Sequence, residues 1–188
     1  FLAEVCRDWD AAAAPAIAAG IRVVFTRFGV VLSPQGGALA KMLTPFKLCV
    51  GGKIGSGKQV WSWVAIDDVI GAIHHGLMND EVHGPVNVVA PHPATNREFT
   101  KTLGRVLGRP TILPMPGFMA RLALGEMADE LLLSGMHVVP KKLQETGYEF
   151  RFPELEGALR HVLGRQKSVF FAAAETHGES GDSVAHCS

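Results

Sequence analysis

The chain has 188 residues, 47% of them hydrophobic and 19% charged, which is the composition of an ordinary globular protein of one domain or one and a half. Eighteen basic and eighteen acidic side chains cancel, so no excess charge draws it to nucleic acid, a polyanion or an anionic membrane, and none of these is an expected partner. Cys6, Cys49 and Cys187 are too scattered for a disulfide framework or a metal knuckle, which makes a reducing cytoplasm the expected compartment; no apolar run approaches the roughly 20 residues of a membrane span.

The first residues, FLAEVCRDWDAAAAPAIAAG, place Leu2, Val5, Cys6 and Trp9 at helical spacing, with Pro15 to kink or split the helix and Gly20 to stop it. Phe1 falls inside this helical pattern, so the chain is expected to be a fragment. IRVVFTRFGVVLS follows as a β-type run, apolar at every position of 23–25, as in a strand buried on both faces of a parallel sheet. SPQGGALAKML is a loop leading into a short helix, and PFKLCV reads as extended. GGKIGSGKQ and VWSWVAI then complete strand, glycine-rich turn and strand, a hairpin over residues 51–63.

The second half alternates again. DDVIGAIHHGLM is a helix capped by Asp67 or Asp68, with Val69, Ile70, Ile73 and Leu77 on one apolar face. VNVVA is a short buried strand. TNREF opens a helix with a capping box, Thr95 at the N-cap and Glu98 three residues on, followed by Phe99, Leu103, Val106 and Leu107 inward and Gly108 as the stop. Residues 118–134 read as one helix or two short ones, Pro140 suits the first turn of PKKLQETG, YEFRF is extended, and PELEGALRHVL forms a last helix with Leu155, Leu159 and Val162 inward. From Gln166 onward the sequence loses periodicity and reads as a frayed tail.

Chemistry is sparse in this pattern. Gly52 to Lys58 has the frame of a Walker A loop, but Gln59 supplies no hydroxyl for magnesium and strand formers follow where a helix should begin. The histidines at 74, 75, 83 and 92 lack acidic or cysteine companions at metal spacing, so no metal site is expected. Asp67 and Asp68 have two readings, a helix cap or a general base, and Trp61 and Trp63 have two, core or pocket wall. Glu126, Asp129 and Glu130 near Arg121 form an acidic patch of a solvated helix face. No Ser/His/Asp constellation with a local signature is present.

The order RVVFTRFGVVLSPQGGALAKMLTPFKL, GGKIGSGKQVWSWVAIDDVIGAI, GPVNVVAPHPATNREFTKTLGRVLGRP and GEMADELLLSG resembles the C-terminal half of the epimerase-like, atypical branch of the short-chain dehydrogenase/reductase superfamily. The similarity covers residues 1 to 163. It implies an α/β fold: the C-terminal part of a Rossmann-type parallel sheet domain over 1–112, with a substrate-side hairpin, a small and mostly helical terminal domain over 113–165, and a tail over 166–188. It also implies NAD or NADP as cofactor, with the main binding half upstream, because no glycine-rich dinucleotide fingerprint opens a helix here.

By that resemblance Arg27, Phe28, Gly29 and Val30 line the nicotinamide, although Ser33-Pro34 stands where extended relatives carry Gly-Pro. Gln59, Trp61 and Trp63 fall on the substrate side. Trp61 occupies the place of an arginine that grips the substrate diphosphate in nucleotide-sugar epimerases, and an indole offers no bidentate fork. The Tyr-x-x-x-Lys pair of extended relatives would fall at Phe1 and Val5, and Tyr148 is not followed by a lysine four residues on. The expectation is an NAD(P)-binding epimerase- or reductase-like protein with an unknown small substrate; its rival is a non-catalytic, nucleotide-dependent binding or regulatory protein on the same scaffold.

Overall fold

The computed structural model describes residues 2–111 and 135–165. The expected helices over 118–134, the acidic patch and the tail from 166 lie outside them. The opening helix is split, not kinked, into α1 (Leu2–Ala12) and α2 (Ala14–Ala18). Pro15 sits in the first positions of α2, where its missing N–H costs nothing.

The apolar run that follows forms two strands, β1 (Val24–Phe28) and β2 (Val30–Leu32), interrupted at Gly29. Burial on both faces was the expectation for residues 23–25, and the structure corrects it. β1 runs from half-buried at Val24 and Phe25 to exposed at Thr26, Arg27 and Phe28, because among the described residues only β5 (Gly84–Val88) pairs with it.

α3 (Gly37–Lys47) passes through Pro45 and takes in residues whose sequence reads as extended. Leu39, Met42, Leu43 and Phe46 form its buried stripe, and their burial outweighs the backbone hydrogen bond that Pro45 cannot make. The glycine-rich stretch that follows is a turn: Gly55 and Gly57 both have positive φ, and Gly57 N donates to Ile54 O at 3.1 Å. It leads into β3 (Val60–Trp61), with no helix after it and Lys58 exposed, so the Walker frame has no phosphate cradle. The expected hairpin over 51–63 is also absent. β3 pairs antiparallel with β6 (Ala94–Thr95), far along the chain.

β4 (Trp63–Ala65) pairs in parallel with β2 and turns directly into α4 (Ile66–Met78). Ala65 is the N-cap there, and Asp67 and Asp68 lie inside the first turn without capping it. α4 buries Asp68, Val69, Ala72 and Gly76, while Ile70, Ile73 and Leu77 of the expected face stay in solvent. α5 (Asn96–Leu107) has the capping box the sequence announces: Thr95 Oγ1 accepts from Glu98 N at 3.2 Å and Thr95 N donates to Glu98 Oε2 at 2.8 Å. Those bonds hold the Glu98 carboxyl below its ordinary range. Gly108 closes the helix with a left-handed φ of 66°.

Beyond the undescribed stretch come α6 (Lys141–Glu145), with Pro140 at its N-cap, and α7 (Leu155–Val162). Ala158 and Leu159 of α7 are fully buried in the same cluster as Trp61, Trp63 and Phe99. Glu156 ties α7 to α5 through Arg105 at 2.7 Å. A second cluster, built on Val64, Val82, Val86, Val88 and Leu143, fills the space between α4, β5 and α6. The architecture is mixed α/β with parallel strand pairs β1–β5 and β2–β4.

Candidate functional site

The site begins with a change of partner. β1 runs parallel to β5 as far as Phe28 opposite Val88, and from Val30 the chain pairs with β4 instead, Val30 opposite Trp63. Gly29 is the residue between. A Cβ there would stand 2.3 Å from Ser62 O and 2.8 Å from Val89 Cγ1, so only glycine lets three segments meet this closely. Val30 N donates to Ser62 O at 2.8 Å, which fixes the new register. Ligands of open α/β sheets sit at the carboxyl ends of strands where the chain order changes, and β1 and β5 both end here.

A cavity of about 350 Å³ opens at this point. Its floor is the end of β1 and β5: Arg27, Phe28, Gly29, Val30, Asn87 and Val89. Its wall is Val60, Trp61 and Ser62 with Gly135, Met136 and Val138. Arg27 and Asn87 face each other across the β1–β5 register. Arg27 is held at 3.0 Å by Asp10 of α1, an exposed pair.

Residues 135–139 form a strap along β3. Met136 N donates to Val60 O at 2.8 Å; Ser62 Oγ donates to Met136 O at 2.8 Å and accepts from Val138 N at 2.8 Å. Gly135 makes the approach possible: its φ is +61°, and a Cβ would stand 2.9 Å from Gln59 Cβ and Val60 N. Ser62 therefore fastens both sides of the cavity, its carbonyl the floor and its hydroxyl the strap.

Of the residues singled out in the sequence, the cavity brings together Arg27, Phe28, Gly29, Val30 and Trp61. Gln59 and Trp63 are outside its lining. Gln59 braces the glycine turn, donating from Nε2 to Ile54 O at 2.9 Å. Trp63 is fully buried and donates to His92 O at 3.0 Å. Trp61, 2% exposed, packs edge-on against Phe99 and presents its remaining surface to the cavity, so it serves as core and wall together. Sequence reasoning missed Asn87, Val89, Ser62 and the strap. Asn87 does leave a signal, as the one polar residue in VNVVA, but the strap comes from more than seventy residues away and has no local pattern.

The acidic pair does other work. Asp68 is fully buried and accepts from Arg151 N at 2.8 Å, Phe152 N at 3.0 Å and Tyr148 Oη at 3.2 Å. Burial, and then the Asp68 charge, hold the Tyr148 phenol well above its ordinary range. Asp67 meets His161 at 3.1 Å. Neither aspartate lines this cavity, so the general-base reading finds no support at it. Among the described residues no group of three or more His, Cys, Asp or Glu lies together as a metal site would require, and no helix is long and apolar enough to cross a membrane.

Comparison with known proteins places this arrangement. Residues 115–162 match a family described as a domain of unknown function, DUF1731. An epimerase family protein of Mycobacterium bovis is 42% identical over 165 residues, 88% of this chain and 55% of the relative. The crystal structure of human epimerase family protein SDR39U1 with NADPH superposes with a TM-score of 0.72 at 42% identity, covering 78% of this chain and 50% of that one. A nucleoside-diphosphate sugar epimerase from Corynebacterium glutamicum superposes with a TM-score of 0.74 at 36% identity, covering 94% of this chain and 34% of that one. The chain spans about half the length of the curated relatives it matches, 55% of the Mycobacterium bovis protein for instance.

Proposed function

We propose, for a chain that belongs to the epimerase-like, atypical branch of the short-chain dehydrogenase/reductase superfamily and matches the C-terminal part of its members, that it provides the nicotinamide-side and substrate-side half of an NAD(P)-dependent epimerase or reductase. One observation carries this reading: the cavity lies at the carboxyl ends of β1 and β5, where Gly29 lets the chain change partner. The pyrophosphate side of the cofactor falls to residues outside this chain, since no glycine-rich fingerprint is present in it.

The floor suits a flat aromatic ring bearing one amide. Phe28, Val30 and Val89 offer apolar surface, and the Asn87 side chain offers a matching amide. When bound there, the cofactor supplies a hydride or accepts one. The chain's own part is to orient the ring against the floor and, with Trp61 and the strap, to keep water from its outer face. The human relative crystallised with NADPH supports this assignment.

A second reading is favoured by a specific observation. Among the described residues the polar side chains lining the cavity are Arg27, Ser62 and Asn87, with no His, Asp, Glu or Tyr to serve as general acid or base. Tyr148 is engaged by Asp68, away from the cavity. A dinucleotide-dependent binding protein would need no such group. Titration with NADPH, read by energy transfer from tryptophan to the reduced nicotinamide, tests the shared part; a carbonyl and sugar panel separates the two. Turnover supports the enzyme, and tight binding without turnover on any member sinks it. Asn87→Leu is expected to weaken NADPH about tenfold.

A further inference from the structure

Resting on the reading of this cavity as the reacting site, we infer that its strap wall selects a neutral, largely apolar substrate, whose body lies against Met136 and Val138, and not a phosphorylated or carboxylate-bearing one. The two sides of the cavity differ in chemistry. Polar side chains sit on the floor, where Arg27 and Asn87 are register partners; the facing wall presents Val60, Trp61, Met136 and Val138. Met136 is 70% exposed, an apolar side chain left at the opening of a partly formed pocket.

Anion recognition needs unspent donors, and the wall has spent its own. Met136 N is bonded to Val60 O, Val138 N to Ser62 Oγ, and the Ser62 hydroxyl proton to Met136 O, all at 2.8 Å. On the floor, Val30 N is bonded to Ser62 O at 2.8 Å. Arg27, the one cation among the described lining residues, already faces the Asp10 carboxylate. A diphosphate brought against these described residues would exchange water for donors already engaged at Met136, Val138 and Ser62, whereas an apolar body gains by displacing that water. Specificity of this kind comes from the penalty on the wrong ligand as much as from contacts with the right one.

Three probes of graded charge test it: acetophenone, phenylglyoxylate, which adds a carboxylate to nearly the same skeleton, and UDP. Each is titrated against the protein by NMR, with affinity read from the ligand signals and location from the Met136 methyl resonance in protein-observed spectra, and NADPH is titrated separately. The expected result is that acetophenone binds in preference to both anions, that Met136→Asp weakens it about tenfold, and that Met136→Leu keeps it within about twofold. Phenylglyoxylate or UDP binding as tightly as acetophenone overturns the inference. So does a failure of acetophenone to bind, or an affinity for it that Met136→Asp leaves unchanged. Failure of NADPH alone marks the cofactor reading as the one at fault, because the probe series is read without it.

Discussion

The two hydrophobic clusters are finished to different degrees. Around Trp61, Trp63 and Phe99 the helices α3, α5 and α7 pack closely, and these three rings are 2% exposed or less. Around Val64, Val86 and Val88 the centre is equally dry, but the rim is not: Ile73 and Leu77, which line a cavity with Val82 and Val86, are 41% and 69% exposed. Both clusters share the β2–β4 pair, Leu32, Trp63 and Ala65 in the first and Val31 and Val64 in the second, so much of the difference comes from what covers each side. It teaches where stability resides. The first cluster holds the molecule together, whereas the rim of the second contributes apolar surface without contributing burial.

The sharpest way to break that contrast is to empty the first cluster. Trp63→Ala removes a fully buried indole and its bond to His92 O, and is expected to cost about 3–5 kcal/mol, read from the denaturation midpoint. Asp68→Ala attacks the clasp of the second cluster. It leaves two part-buried backbone N–H groups without their carboxylate acceptor, for an expected loss of about 2–4 kcal/mol.

The clasp also sets an alkaline limit. The Tyr148 phenol has its pKa raised in the fold, so its contribution is complete below the ordinary tyrosine value near ~10 and is lost as pH climbs from there through the raised folded value. Tyr148→Phe removes the bond to Asp68 and should cost about 1 kcal/mol at neutral pH, and it should flatten the alkaline limb of a thermal-midpoint profile. Gly29→Ala probes the junction between the clusters. Its Cβ meets backbone at Ser62 O, and about 1–3 kcal/mol is the expected cost of moving the strands apart. Leu77→Ser, on the open rim, should change stability by no more than about 0.5 kcal/mol and raise the concentration at which the protein aggregates. A loss as large as that of Trp63→Ala would abolish the distinction between the clusters.

Much of the fold could be read from the sequence where a local device fixes the backbone. Thr95, Glu98 and Gly108 announce the ends of α5 because caps act over three or four residues, and Pro15 marks the split between α1 and α2 for the same reason. Pro45 misleads because tertiary burial of Phe46 and its neighbours outweighs a local rule. VWSW is extended as its alternation says, yet it divides between two strands, Val60 and Trp61 pairing with Thr95 and Ala94 and Trp63 pairing with Val30, and no local pattern names partners more than thirty residues away. The site divides in the same manner. Its floor at 27–30 is one contiguous stretch, so a family resemblance can point to it; the strap and Asn87 join it only through tertiary packing. Asp67 and Asp68 sit where caps belong, but their oxygens are drawn off by residues from the far end of the chain.

Asp68 has one more consequence. Two of the groups it holds at residues 151 and 152 are main-chain N–H groups, which every amino acid except proline provides. The sequence there is therefore free to drift over evolutionary time without loosening the attachment, provided no proline enters. Gly71 carries the opposite burden: a Cβ on it would stand 2.4 Å from the Tyr148 hydroxyl. Variation should thus be tolerated at residues 151 and 152 and resisted on the helix that captures them.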